Sequence, residues 1–342
     1  MSNIDPLGPS GFRWDPSWAP SFGYDGTSSG WAHHGIVVTR DDRIITFAVD
    51  RPEVLVFDRA GALLDSWTAD VVEGHGLFLA VDEDDQEYLW ISDIGTKNRP
   101  VGDGGYLPDA EPARGAVVKT TLTGREVARI EAPPLEVYRD GSFSPSQVAV
   151  EERRSGGSGD VWVADCYGQA LVHRFDEHGR LVATLTGEDG GGRFAHPHAV
   201  FIDRRRREPE LLVTDRRNKR IQVFDLEGRW QRNFGADEFV SPGGFAQYGS
   251  ELFVTELDSR ITILSSENEV VGYLGAAGPR SPGWPNALDG QQHPVRPPLI
   301  EGRMHTPHAA AFDSDGNLYV AEWLIGGRLE RFERLKVSEN VD

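Results

Sequence analysis

A four-strand unit recurs six times along this chain, and that repetition limits the possible folds more than any other feature. Each copy has a short apolar strand ending in an acid, a Gly/Asp turn, a second apolar strand with a closing acid, a polar gap, and a third strand running into Phe-Asp-x-x-Gly. Copy 4 is the clearest: PHAVFID, then LLVTDRRNKRIQVFDLEGRWQRNFG. Copy 3 reads SQVAVEE and VWVADCYGQALVHRFDEHGRLVATL, and copy 6 reads PHAAAFDSDGNLYVAEWLIGGRLERFERL. Copy 1 is HGIVVTRDDRIITFAVDRPEVLVFDRAGALLDSW, copy 2 opens HGLFLAVDEDDQEYLWISDIG, and copy 5, GGFAQYGSELFVTELDSRITILSSENEVVGYLG, is the most degenerate. Short strands at even spacing with turn signals predict an all-β, six-bladed β-propeller over residues 35–335. Residues 1–34 are expected to pack on or close it, and residues 336–342 form a tail. The Pro/Gly-rich stretches 97–114 and 276–304 lack strand pattern and are expected as loops walling one face.

Charge and cysteine usage narrow the function. With 54 acidic against 35 basic residues the formal charge is −19, which disfavours nucleic acid and anionic membrane surfaces as partners. The single cysteine, Cys166, rules out an intrachain disulfide. The opening MSNIDPLGPSGFRWDPSW has no basic-then-apolar leader, and no stretch approaches the length of a membrane span. A cytoplasmic, monomeric protein is the expectation.

Set in register at the first residue of the innermost strand, the six copies carry His34, His75, Ser146, His198, Gly243 or Gly244, and His308. In a propeller these strands line the central channel. His75, His198 and His308 therefore come from alternate blades, about 120° apart around the axis. A single histidine at a strand mouth is usually a hydrogen-bonding channel residue, but three in register suit a catalytic metal with an open fourth position. Zinc is the expected ion, although imidazoles also accept cobalt, iron or manganese. His34 is a further candidate ligand, although it breaks the alternation. His196 and His305 read as neighbouring loop groups, and His173, His178 and His293 carry no signal.

A second register, one residue past the closing acid of the second strand, holds Arg51, Ile94, Cys166, Arg216, Leu257 and Trp323, with Tyr167 one further on. Arg51 and Arg216 are candidates to clamp a substrate carboxylate bidentately; the alternative for each is a local ion pair. Tyr167 is either a core ring or a phenol whose pKa a nearby cation lowers for general-base work.

WVADCYGQALVHRFDEHGRLVATL, FAHPHAVFID and LLVTDRRNKRIQVFD resemble the NHL-repeat propeller of the peptidyl-α-hydroxyglycine α-amidating lyase family, over about Gly35 to Arg334. That resemblance implies three zinc-binding histidines at His75, His198 and His308, a catalytic tyrosine at Tyr167 and active-site arginines at Arg51 and Arg216. It implies cleavage of the C–N bond in a carboxylate-bearing carbinolamide, small or peptidyl, to an amide or amine and glyoxylate or a related keto acid. Ala309 follows His308 where the family has an aspartate that helps hold calcium, which argues against a calcium ion here. The competing readings are a different propeller enzyme, such as a lactonase or another lyase, and a non-catalytic NHL scaffold for a protein partner.

Overall fold

The computed structural model describes residues 11–15, 17–18, 29–109, 112–275 and 280–335. Most of segment 1–34 and all of tail 336–342 lie outside these residues. Six four-stranded antiparallel sheets form the blades of a β-propeller. Their inner strands are Ile36–Val38, Gly74–Val81, Gln147–Val150, Pro197–Asp203, Pro242–Tyr248 and Pro307–Phe312, and these pack side by side in a closed ring around the channel. Blade 6 takes its outermost strand from the N-terminus: Phe12–Asp15 pairs antiparallel with Arg328–Arg334.

The middle strands are apolar without a break because both faces are buried. Ile44 packs toward blade 6 and Ile45 toward blade 2; Leu211 packs toward blade 3 and Leu212 toward blade 5. Each interblade seam has its own hydrophobic cluster, so the core is six wedges in place of one mass. Period-2 alternation thus distributes side chains between two neighbours.

A buried acid ends the second strand in five blades and holds the loop that leads into the inner strand. Asp93 accepts the Val72 and Glu73 N–H groups (3.0 Å each), Asp165 that of Ser144 (2.7 Å) and Asp215 that of Ala195 (2.7 Å). Glu256 accepts Val240 and Ser241, and Glu322 accepts His305 and Thr306. Blade 1 departs from this rule. Ala48, whose N–H bonds the Glu53 carbonyl, occupies the place that Asp93 takes opposite Ala116. The loop entering blade 1 is tied to blade 6 instead, through Ala32 N–H to the Leu324 carbonyl (3.0 Å) and a Trp31–Ile325 bridge.

The two insertions contain short hairpins, Asn98–Pro100 with Tyr106–Pro108 and Ala287–Leu288 with Pro294–Val295. Trp284 from the second and Thr96 and Asn98 from the first line a cavity on one face.

Phe12, 1% exposed and edge-on to Phe253 at 6.2 Å, anchors the closing strand in the seam between blades 5 and 6. Phe12→Ala is expected to cost about 3–5 kcal/mol in urea unfolding. A change below about 1 kcal/mol would mean that the strand does not close the ring.

A candidate metal centre on the propeller axis

His75, His198 and His308 occupy the same place on blades 2, 4 and 6, at the bulge opening each inner strand. Each ring is oriented by the following blade. The Nδ1–H of His75 donates to the Ser146 carbonyl (2.6 Å), that of His198 to Gly243 (2.8 Å) and that of His308 to His34 (3.1 Å). A carbonyl only accepts, so these bonds leave the three Nε2 lone pairs bare and aimed at the axis. Small residues let the blades approach this closely: a Cβ on Gly76 would lie 2.3 Å from the Ser146 carbonyl oxygen.

A fourth imidazole completes the cluster, and it is His33, not His34. The His33 Nε2 lies 3.0 Å from that of His75, which lies 3.2 Å from that of His308. The ligand nitrogens of His33, His75, His198 and His308 all fall within 4.8 Å of one another. His34 is buried with its Nδ1 at the Thr46 hydroxyl (3.0 Å), away from the cluster. The only sign of this in the sequence is a weak one. The position before the register residue is Gly74, Pro145, Pro197, Pro242 or Pro307 in five copies, and His33 in the first.

The donor set fits a divalent transition metal. Nitrogens 2.0–2.1 Å from a tetrahedral ion stand about 3.3–3.4 Å apart; two of the pairs here are at 3.0 and 3.2 Å, and the whole set spans no more than 4.8 Å. At such distances two lone pairs repel unless a proton or a cation lies between them, and a divalent ion would serve all four nitrogens at once. Burial, reinforced by neighbouring imidazoles and Arg216, holds His33, His75 and His198 well below the ordinary histidine range, and burial brings His308 to about 4. Neutral imidazole is the ligating form.

Tyr167 and Arg216 join the cluster. The phenol oxygen lies 3.0 Å from His198 Nε2, 3.1 Å from His33 Nε2 and 3.2 Å from His75 Nε2. Burial raises the phenol's pKa and outweighs the lowering by Arg216, against the lowered-pKa alternative offered for this tyrosine from the sequence. The Arg216 guanidinium sits 5.8 Å from the Tyr167 ring centroid and donates to His196 Nδ1 (3.3 Å). Its neighbour Asp215 is engaged by Arg220 (2.9 Å), which leaves Arg216 without a carboxylate partner among the described residues. His33, Tyr167, His196 and Arg216 floor a cavity of about 720 Å³ whose apolar side is Leu257, Trp284 and Trp323. A channel of about 520 Å³ between the inner strands approaches His75, His198 and His308 from the other face.

Arg51 is not in this constellation. Its half-exposed side chain pairs with Asp50 (3.1 Å) and Glu53 (2.5 Å), outside the cavity. The second strand of blade 1, Ile44–Phe47, puts Ala48 in the acid's place, so aligning Asp50 with the closing acids displaces Arg51 by two residues. His305 holds the second insertion through Nε2–H to the Pro285 carbonyl (3.1 Å), and His173 is buried on Tyr138 (2.7 Å) in blade 3.

Fold and site together define a six-bladed β-propeller with a histidine cluster on its axis. No family profile matches the chain. It is 30% identical to human "NHL repeat-containing protein 3" over 235 residues, 66% of this chain and 60% of that protein. The mouse protein of the same name gives 30% over 224 residues, 62% and 58%. The chain thus spans about three-fifths of these relatives' length. Among solved structures, streptogramin B lyase superposes with a TM-score of 0.54 at 12% identity, covering 94% of this chain and 97% of that one. Virginiamycin B lyase from Staphylococcus aureus gives 0.54 at 13%, covering 95% and 100%. These likenesses establish the propeller fold.

The lowered imidazole pKa values set a pH dependence. Unfolded histidine protonates near 6.5, whereas His308 resists until about 4. As pH falls from about 6.5 to 4 the unfolded chain binds protons that the folded chain does not, so stability drops; above 7 the term vanishes. Metal-stripped protein is expected to lose urea resistance between pH 7.5 and 5, and His308→Gln to lose less over that interval. Equal losses would contradict the assignment.

Proposed function

We propose that this propeller is a metal-dependent carbon–nitrogen lyase acting on a carboxylate-bearing carbinolamide, N–CH(OH)–COO⁻, and releasing an amide or amine and glyoxylate or a related keto acid. The observation that supports it is the meeting of the four imidazole nitrogens, where channel and cavity adjoin, with the Tyr167 phenol and with an Arg216 guanidinium that has no carboxylate partner among the described residues. Zinc, or another divalent transition metal held by His75, His198 and His308, would supply Lewis acidity toward the substrate's hydroxyl oxygen.

The chain's own groups do the rest. Arg216 takes the carboxylate as a two-pronged donor, which fixes the scissile bond over the cluster. Arg51 lies too far out to share that task. Tyr167 relays a proton: its oxygen accepts the hydroxyl proton while its own proton passes to the departing nitrogen. The C–N electron pair leaves with nitrogen and the C–O bond becomes a carbonyl, so atoms and charge balance. A relay needs no free phenolate, in keeping with the raised phenol pKa. Leu257, Trp284 and Trp323 keep the apolar side of the cavity dry and give the nitrogen substituent an apolar wall.

The test is metal analysis of the purified full chain, followed by α-hydroxyglycine derivatives, small and peptidyl, assayed for keto-acid release. Tyr167→Phe should lower kcat about 10²–10⁴-fold. Arg216→Ala should raise KM by about one to two orders of magnitude, the worth of a hydrogen-bonded charge. Arg51→Ala should leave both unchanged. Metal-loaded protein that releases no keto acid from any of these would overturn the lyase reading.

A further inference from the structure

The four imidazoles of the cluster are not held alike. His75, His198 and His308 stand on paired inner strands, each with Nδ1 committed to a backbone carbonyl of the next blade. The His33 side chain makes its described contacts through Nε2, to His75 and Tyr167, and through ring packing, including His308 at 5.0 Å and Trp323 at 5.8 Å. It is half-buried where the other three are buried, and it lines the cavity where they line the channel. The backbone beneath it is pinned: Ala32 N–H bonds Leu324, Gly326 N–H bonds the Gly30 carbonyl (2.8 Å), and a Cβ on Gly30 would lie 2.9 Å from Val49. With the backbone held, withdrawal of the ring would have to come from rotation of the side chain.

Four imidazoles around one ion make a closed set of the kind found in structural sites, whereas a site that works on substrate keeps a position open. A closed ion beside a large cavity and an arginine with no carboxylate partner among the described residues would have no position for substrate. We infer that His33 is an exchangeable fourth ligand, which closes the metal position in the resting protein and yields it to an oxygen donor whose carboxylate docks on Arg216. This rests on reading the cluster as a metal centre that binds substrate. His33 then also deters binding by stray anions, since an entering group must both displace the imidazole and satisfy Arg216.

The test uses metal-stripped full chain loaded with one equivalent of Co²⁺, whose visible ligand-field bands report coordination number, with X-ray absorption to count imidazoles. Glycolate, a carboxylate beside a hydroxyl, is the probe. Wild type should show four imidazoles, and glycolate should lower that number by one. His33→Ala and the size-conserving His33→Gln should keep one Co²⁺ per chain with affinity within about tenfold of wild type, on the scale of losing outer-shell support. Both should bind glycolate more tightly, by about tenfold if His33 holds the position nine-tenths of the time. His198→Ala should fail to retain the ion.

Loss of Co²⁺ from the His33 variants as complete as from His198→Ala would make His33 a structural ligand and overturn the inference. So would three imidazoles in resting wild type, or a spectrum that glycolate leaves unchanged in wild type and variants. A chain that takes up no Co²⁺ overturns this inference together with the metal reading. Bound cobalt without exchange overturns this one alone, and exchange without keto-acid release overturns only the lyase chemistry.

Discussion

The structure depends on a buried carboxylate that recurs at the end of the second strand. Asp93, Asp165, Asp215, Glu256 and Glu322 are each no more than 3% exposed, and each accepts backbone N–H groups from the loop entering its own blade. An unmet buried N–H costs about 1–3 kcal/mol, so the acid fixes the loop and thereby the first residue of the inner strand. In three blades the charge is balanced from the third strand, by Arg220, Arg260 and Arg328. In blade 3 Tyr138 donates to Asp165 (2.6 Å). The residue two past that acid is Tyr167, so the carboxylate that sets the loop also aims the phenol.

Neighbouring blades then orient one another's histidines. A ring from one blade takes its tautomer from a carbonyl of the next, and the small residues of blades 3 and 5, Ser146 and Gly243, present those carbonyls without side chains that would fill the axis. In blade 1 the residue presenting that carbonyl is His34, whose ring turns away to Thr46 and so also leaves the axis open. With Nδ1 holding the proton, the Nε2 atoms of His75, His198 and His308 are left as acceptors, buried and neutral, the form a cation needs.

Blade 1 is where the repeat relaxes, and the two candidate site residues that the structure places elsewhere, His34 and Arg51, both fall there. With Ala48 in the acid's place, its entry loop is free of the staple and is held by blade 6. That shift points His34 at Thr46 and brings His33 to the axis. It also carries Arg51 out to Asp50 and Glu53. Asp50-Arg51 looks like Asp215-Arg216 in a string of letters, but the first pair lies in the turn beyond its strand and the second closes one. Letters do not distinguish these, because strand ends are set by cross-strand pairing.

The sequence by itself determined the six-blade architecture, since six copies of a four-strand unit, marked by alternation and turn residues, set the number of blades. It also determined the placement of His75, His198, His308, Tyr167 and Arg216, because those residues lie in copies that keep the closing acid and thus the common register. Only the tertiary structure decided which imidazole of His33 and His34 faces the axis, and which arginine meets the cavity. Both depend on how blade 1 closes against blade 6, a contact between the two ends of the repeat array that no local pattern encodes.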